Sequence, residues 1–160
     1  MQIRTGLGYD VHRLKPNETL VLGGVSVEHT KGTVAHSDGD VLLHAIADAL
    51  LGAAALKDIG YHFPDNDPTY KNANSLHLLI ECYKLVKNKG YELGNIDATL
   101  AMQTPKLKPY IDQMCQTIAD SLKIDRDQVS VKATTTEKLG FVGKEEGVEA
   151  FATVLIQKCK

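Results

Sequence analysis

The sequence has no tryptophan and only three cysteines among its 160 residues. The cysteines, Cys82, Cys115 and Cys159, are odd in number, widely spaced and without a CxxC pair. That pattern favours reduced thiols in an intracellular protein over a disulfide framework or a thiolate zinc site. A net charge of -2 and the absence of any long basic run give no reason to expect a nucleic-acid partner.

A secretion signal and a membrane span are also missing from the sequence. The chain begins Met1-Gln2-Ile3-Arg4, without a charged segment followed by an apolar one. Its most apolar stretch, residues 41–56, is shorter than the ~20 residues that a bilayer requires, so we expect a buried helix there. We therefore predict a cytoplasmic protein with no membrane contact, forming one domain over residues 1–160 without a fused second enzyme.

Hydrophobic periodicity alternates between two and 3.6 residues along the chain, which predicts both strands and helices. We expect one α/β (α+β) domain with a single mixed β-sheet and helices packed mainly on one face. Strands are predicted at residues 3–12, 96–102, 129–135 and 148–157, with a short hairpin at 21–27. Helices are predicted at residues 37–54, 75–90 and 111–122, with loops at 30–33, 58–74 and 104–109. Ser37 is expected to cap the first helix, in a capping box with Asp40.

Asp10 and His12 are two residues apart on the first predicted strand, so their side chains share one face. Gly6 and Gly8 on that face are expected to leave room beside them. His44, from the helix that follows, adds a third donor, and two imidazoles with one carboxylate suit zinc, although iron, cobalt or manganese would also fit. The spacing alone is equally compatible with a surface histidine after a strand and a polar interruption of a helix.

Two further segments have the chemistry of phosphate binding. His36 and Ser37 immediately precede the predicted helix, where free N–H groups and the helix dipole favour an anion. Three consecutive threonines, residues 134–136, can donate to phosphate oxygens, and Glu137 can hold a hard cation such as magnesium. Each segment alone is also explained by capping, β-propensity or a polar turn.

Four motifs occur together in this chain. They are Gly8-Tyr9-Asp10-Val11-His12, Ala35-His36-Ser37-Asp38-Gly39-Asp40, Asp58-Ile59-Gly60 with Phe63-Pro64-Asp65, and residues 132–141, from Lys132 to Phe141. In this order, and over essentially the whole length, they resemble the 2-C-methyl-D-erythritol 2,4-cyclodiphosphate synthase family of the non-mevalonate isoprenoid pathway. The resemblance implies a homotrimer with active sites between subunits. It also implies that the 2-phosphate of 4-diphosphocytidyl-2-C-methyl-D-erythritol 2-phosphate attacks the β-phosphorus, closing a cyclic diphosphate and releasing CMP.

The resemblance also implies a role for individual residues. Asp10, His12 and His44 match zinc ligands, and Glu137 matches a ligand of Mg²⁺ or Mn²⁺ on the diphosphate. His36 and Thr135 match positions of transition-state stabilisation, and Ser37 a position of diphosphate binding. Apart from His44, these residues are also implied to contact the substrate. The other implied contacts are Asp58 and Gly60 at the ribose; Ile59, Phe63, Pro64, Asp65, Asn66 and Asp67 at the methylerythritol phosphate; Met102, Gln103, Thr104, Pro105, Lys106, Leu107, Lys108, Ala133 and Thr134 around the cytidine and phosphates; and Thr136, Phe141 and Lys144.

The chain departs from the family pattern in two places. Residues 143–147 are Gly-Lys-Glu-Glu-Gly, where the family usually has Gly-Arg-Gly-Glu-Gly. The arginine position is associated with binding an isoprenoid diphosphate in a cavity on the trimer axis; Lys144 keeps the charge without the planar fork, and Glu145 adds a negative charge. In the nucleotide turn, Met102, Thr104 and Lys108 replace smaller or apolar residues.

Two other functions remain open at this stage. A zinc-dependent phosphohydrolase would use metal-bound water instead of a substrate phosphate, with His36 or Asp65 as its general base. A third possibility is a trimeric protein that binds a metal or a prenyl diphosphate without turnover. Apolar residues along a three-fold axis, such as Phe141 and Val142, would be compatible with that function.

Overall fold

The structure is a computed structural model that describes residues 2–159. Its strands are β1 (Ile3–Pro16), β2 (Val21–Leu22), β3 (Val25–Ser26), β4 (Lys31–Val34), β5 (Tyr91–Ala101), β6 (Val129–Thr134) and β7 (Gly147–Lys158). Its helices are α1 (Val41–Ala53), α2 (Ile59–His62), α3 (Ser75–Asn88), α4 (Ile111–Leu122) and α5 (Gly140–Gly143). Short 3₁₀ turns lie at Pro68–Tyr70, Lys108–Tyr110 and Arg126–Gln128.

Five strands form one mixed sheet in the order β4-β1-β7-β5-β6. The β5–β6 pair is parallel, and the other pairs are antiparallel. Strands β2 and β3 form a separate hairpin, as the sequence predicts, with Gly23 and Gly24 at positive φ in its turn. The predicted α+β fold with one mixed sheet is therefore confirmed.

Helix α1 packs directly on β1 because two glycines remove the side chains between them. A Cβ on Gly8 would overlap the backbone of Ala45 and Ala49, and one on Gly6 would overlap that of Ala49 and Ala53. The expectation that these glycines leave room beside Asp10 and His12 is wrong: the space is filled by the backbone of α1. This close contact brings His44, on α1, next to the strand that carries Asp10 and His12.

The opposite face of the sheet carries large apolar side chains that the helices do not cover. Leu7 is 69% exposed, and Tyr9, Val11 and Phe151 are also exposed. Tyr9 and Phe151 are paired across β1 and β7, with ring centroids 5.0 Å apart. Helices therefore pack mainly on one face, as predicted, and the other face presents an apolar surface.

Several sequence-based assignments are wrong. Residues 31–34 form the edge strand β4, paired with residues 13–16 of β1, whereas a polar loop was predicted; four residues are too few to show a period. The loop 58–74 contains α2 and a 3₁₀ turn, capped by the side chains of Asp58 and Asp67. Strand β5 begins at Tyr91, five residues earlier than predicted.

The start of α1 also differs from its prediction. The N-cap is Asp40, whose carboxylate accepts from the Leu43 N–H, so the helix begins at Val41. Ser37 instead accepts from the N–H of Gly39 in a local turn. Within residues 2–159, no helix is long and apolar enough to cross a bilayer.

Candidate active site

Asp10, His12 and His44 converge at one end of the sheet, as their spacing predicts. Asp10 Oδ2 lies 3.0 Å from His12 Nε2 and 3.2 Å from His44 Nδ1. The two histidine nitrogens are 3.4 Å apart. All three side chains are partly buried. One donor atom of each faces the same small volume.

These distances fit a metal ion. Zinc binds histidine nitrogen and carboxylate oxygen at about 2.0–2.2 Å in a tetrahedron, which separates neighbouring donor atoms by roughly 3.4 Å. The three measured separations lie close to that value. Three protein ligands also leave a fourth position for a substrate oxygen, as in catalytic zinc sites.

The charges of Asp10 and His44 are complementary. Burial acts to raise the pKa of Asp10, but hydrogen bonds with His12 and His44 lower it to about 2. Burial acts to lower the pKa of His44, but the hydrogen bond and charge of Asp10, with the charges of Asp40 and Asp38, raise it above its usual value. The Asp10 carboxylate and the His44 imidazole thus stabilise each other's charge, and a bound cation would take the place of the proton on His44.

The second nitrogen of His44 faces away from the cluster. Its Nε2 lies 2.8 Å from the hydroxyl oxygen of Ser75 and 3.4 Å from that of Ser37. The Ser75 hydroxyl in turn donates to Asp38. Neither Ser75 nor Asp38 was selected from the sequence as a site residue, and Ser75 comes from α3, more than thirty residues along the chain.

A cavity of about 340 Å³ opens beside the cluster. Helix α1 holds part of its wall in place, because Asp48 accepts from the N–H of Ile59 at the start of α2. Of the residues implied by the resemblance, this cavity is lined by Asp10, His12, His36, Ser37, Ile59, Gly60, Phe63 and Asp65. Asp58, Pro64, Asn66 and Asp67 are not among its lining residues, whereas Tyr70 and Leu78, which sequence reasoning missed, are.

The phosphate site predicted at the N-terminus of α1 is not available there. The carboxylate of Asp40 is completely buried and accepts from the N–H groups of Gly23, Gly24 and Leu43. Its negative charge therefore occupies the helix terminus. His36 and Ser37 still line the cavity beside the candidate metal ligands, so a phosphate bound there would contact the side chains of these two residues instead of the helix terminus.

A second cavity of about 330 Å³ lies at the β6 edge of the sheet. It is formed by the turn after β5 and the end of β6, and its lining residues include Met102, Gln103, Pro105, Lys106, Leu107, Lys108, Ala133, Thr134 and Thr135. Of the predicted nucleotide turn, only Thr104 is not among its lining residues. Thr104 instead donates to the carboxylate of Glu145 at 2.5 Å. Ile111 also lines this cavity and was not predicted.

The remaining predicted residues follow β6 along the chain. Glu137 is exposed, at φ +53°, and its N–H donates to the Thr135 hydroxyl at 3.3 Å. The Thr136 hydroxyl donates to the carbonyl of Leu139. Phe141 is partly exposed and lines a cavity with His12, while Lys144 is exposed just after α5.

The two cavities share no lining residue. In the sheet register, Asp10 of β1 is opposite Ala150, which is opposite Leu100, which is opposite Ala133 of β6. The metal cluster and Thr135 thus lie at the same end of the sheet but three strands apart, which is about 14 Å. A single chain therefore does not bring the two groups of residues into contact.

Comparison with known proteins gives full-length matches. The chain matches the YgbB family over residues 3–157. The 2-C-methyl-D-erythritol 2,4-cyclodiphosphate synthase of Parabacteroides distasonis is 58% identical over 99% of this chain and 98% of its own. The protein of the same name from Bacteroides fragilis is 56% identical over 99% of each chain.

Solved structures agree with these matches. The bifunctional IspDF of Campylobacter jejuni has a TM-score of 0.95 and 48% identity, over 98% of this chain and 42% of that one. An IspF of Plasmodium falciparum, in complex with CDP, has a TM-score of 0.87 and 37% identity, over 99% of this chain and 97% of that one.

Proposed function

We propose a mechanism from the premise that the chain belongs to the YgbB family, whose curated members at 56–58% identity are 2-C-methyl-D-erythritol 2,4-cyclodiphosphate synthases. The chain is an enzyme of non-mevalonate isoprenoid biosynthesis, a phosphorus–oxygen lyase. It converts 4-diphosphocytidyl-2-C-methyl-D-erythritol 2-phosphate to the 2,4-cyclodiphosphate and CMP. The observation that carries this function to the site is the convergence of Asp10, His12 and His44 beside His36 and Ser37.

We propose that Asp10, His12 and His44 hold zinc and that Glu137 contributes to holding Mg²⁺ or Mn²⁺ on the diphosphate. The three donors fit zinc in number, kind and separation. A single carboxylate fits magnesium, which keeps most of its waters and phosphate ligands. When bound, zinc supplies a Lewis acid and a template for the β-phosphate, and the second cation neutralises charge on the diphosphate.

The protein's own contribution is to fold the substrate onto itself. The nucleophile is the substrate's 2-phosphate, so the enzyme needs to hold it close to the β-phosphorus in an in-line arrangement; effective molarities of about 10⁵ M or more are available from such positioning. We assign His36 and Thr135 to stabilising the charge that develops on phosphate oxygens, and Ser37 to binding the diphosphate.

We assign the two cavities to the two ends of the substrate. The cavity beside the metal cluster would hold the methylerythritol phosphate against Ile59, Phe63 and Asp65. The cavity formed by residues 102–108 and 133–135 would hold the cytidine, where groups of the turn read the cytosine edge and Lys106 lies near the phosphates. Asp58 and Gly60 would both bind the ribose. We also propose substrate contacts for Pro64, Asn66, Asp67 and Thr136, which lie within two residues of lining residues in the chain but do not line either cavity themselves.

We further propose that the enzyme is a homotrimer and that each site combines two chains. The exposed Leu7, Tyr9, Val11 and Phe151 form an apolar sheet face of the kind that marks an interface. Within one chain, about 14 Å separates Thr135 from the cluster of Asp10, His12 and His44. A neighbouring copy can place its own Thr135 beside that cluster and so complete the site. Phe141 and Lys144 would line the axis, where an isoprenoid diphosphate would bind. We place the enzyme in the cytoplasm, consistent with its three free cysteines.

Product analysis in ¹⁸O-labelled water tests the reaction. Incubation of the protein with the cytidyl substrate, zinc and magnesium should release CMP and the cyclic diphosphate in equal amounts, both without ¹⁸O, because the attacking oxygen belongs to the substrate. Hydrolysis by metal-bound water would place ¹⁸O in an uncyclised product or in orthophosphate. That outcome would replace the cyclase by the phosphohydrolase, and absence of any product would favour a binding protein.

The metal assignment is tested with His44→Ala. The purified variant should lose bound zinc by elemental analysis while keeping its oligomeric state in size-exclusion chromatography with light scattering. His77→Ala is a matched control, because His77 is an exposed histidine of α3 outside the cluster. Undiminished zinc in His44→Ala would contradict the ligand assignment.

Complementation tests the interface. His44→Ala disables the metal half and Thr135→Ala the phosphate half, so each variant alone should be inactive. If each site combines two chains, co-expressed subunits that mix at random in a closed ring restore about a quarter of the sites. Activity that stays at the level of the separate variants would show that each chain carries a complete site.

A further inference from the structure

The buried side of His44 contains a chain of hydrogen bonds that the assignments above do not use. His44 Nε2 lies 2.8 Å from Ser75 Oγ, and the Ser75 hydroxyl donates to Asp38 Oδ1. Ser75 is 1% exposed, so water does not compete for its hydroxyl. Asp38, Ser75 and His44 therefore form a line that ends at the metal cluster.

The direction of these hydrogen bonds is fixed by Asp38. Besides the Ser75 hydroxyl, its carboxylate accepts the backbone N–H of Ser75 at 2.9 Å and that of Asp40 at 3.2 Å. An ionised carboxylate only accepts, and a serine hydroxyl has one proton to give. That proton goes to Asp38, so the Ser75 oxygen offers only lone pairs to His44.

The tautomer of His44 follows. The Ser75 oxygen can only accept, so it pairs with an N–H on Nε2. Nδ1 faces the carboxylate of Asp10 and the ring of His12, and a cation bound there takes its lone pair, so the one N–H of the neutral imidazole is then on Nε2. Ser37 also approaches Nε2, but at 3.4 Å, and its oxygen already accepts from Gly39.

We infer that Ser75, oriented by Asp38, is a positioning residue that holds His44 in the tautomer able to bind a metal through Nδ1. The inference rests on the proposed metal site and adds the two residues, Ser75 and Asp38, that support its ligand His44. Outer partners of this kind fix the ring orientation of a ligand histidine, and their loss typically costs 10–100-fold in metal affinity. A purely structural reading, in which Asp38 only ties α3 to the preceding loop, needs the Ser75 backbone N–H but not its hydroxyl.

Ser75→Ala separates the two readings because it keeps the backbone N–H and removes only the hydroxyl. The dissociation constant for zinc, measured by competition with a chromophoric chelator, should rise about 10–100-fold in this variant. Ser121→Ala is the matched control, since that hydroxyl bonds to the carbonyl of Thr117 within α4, away from the site; its zinc affinity should stay within twofold of the wild type.

A second measurement uses the zinc-loaded protein labelled with ¹⁵N-histidine. In the wild type, the His44 spectrum should show zinc on Nδ1 and the proton on Nε2, and that proton should exchange slowly because Ser75 accepts it. In Ser75→Ala the same proton should exchange faster with water. Wild-type zinc affinity in a folded Ser75→Ala protein, or zinc on Nε2 in the wild type, would overturn the inference. Absence of zinc binding by the wild type would instead overturn the metal site itself.

Discussion

Gly8→Ala is the substitution for which the structure predicts the largest effect from the smallest chemical change. The added Cβ would overlap the carbonyl oxygen of Ala45 and the backbone nitrogen of Ala49. Neither atom can rotate away, because both belong to the backbone of α1. The helix must therefore move away from β1 by roughly 1 Å, a gap that forfeits a quarter to a half of each dispersion contact across it.

The cost of that movement is high because ten of the thirteen residues of α1 are buried. Overpacking of a core typically costs 1–3 kcal/mol, and we expect about 3 kcal/mol here because a whole helix is displaced. With a urea m-value near 2 kcal/mol/M, the unfolding midpoint should fall by about 1.5 M. Wild type and variant must be compared at one protein concentration, since assembly contributes to stability.

The same displacement should weaken zinc binding. His44 moves with α1 while Asp10 stays on β1, so the 3.2 Å separation of their donor atoms changes by more than a metal site tolerates. We expect at least a tenfold rise in the zinc dissociation constant. Gly52→Ala is the control: it lies on the same helix with nothing within 4 Å, and should stabilise by about 0.5–1 kcal/mol. A Gly8→Ala protein with wild-type stability and zinc affinity would refute this account of the helix–strand contact.

Three further predictions concern polar contacts. Asp40→Asn should lower the free energy of unfolding at pH 7 by about 2 kcal/mol in urea titrations, because its NH₂ group would meet a backbone N–H such as that of Gly24; unchanged stability would contradict this. Without bound metal, Asp10→Asn should cost about 1–2 kcal/mol at pH 5 and almost nothing by about pH 1: the folded pKa, about 2, lies below the ordinary value, so the carboxylate's contribution is present above the ordinary pKa and is lost as the pH falls through about 2. A cost that persists undiminished at about pH 1 would argue against the ion pair. Thr104→Ala removes the bond to Glu145 and should weaken CMP binding about 2–5-fold by calorimetry; a wild-type value would mean that the turn keeps its shape without it.

The parts of the fold that the sequence predicts well are those with a long hydrophobic period. The alternation along β1 separates the exposed Leu7 and Tyr9 from the inward Asp10 and His12, and the stripe of α4 shows an equally regular helical period. Strand β4 has only four residues and obtains its hydrogen bonds from the distant end of β1, so no local pattern indicates it. Its pairing depends on tertiary structure.

The candidate site divides in the same way. Asp10 and His12 share a face because strand geometry requires it, and His44 meets them because the glycines of β1 admit α1. Ser75 reaches His44 only through the packing of α3 on α1, which no spacing in the sequence reveals. Asp40 is predicted to complete a capping box with Ser37, because it is an acidic residue three positions later. It is instead the N-cap itself, since the hairpin between β2 and β3 buries its carboxylate and donates to it from Gly23 and Gly24.

The proposed reaction needs no nucleophile from the protein, so its buried polar groups position other residues and the substrate. Burial raises the pKa of Cys82 to about 12 and also raises that of Cys115, so neither thiol is an activated nucleophile. An intramolecular attack needs no such group, because the substrate carries its own phosphate nucleophile. The rate then depends on how accurately two parts of the substrate are held together, and misplacement by about 1 Å can cost 10²-fold. Substitutions that shift α1 should therefore reduce turnover more than the loss of any single contact from the loop 58–74.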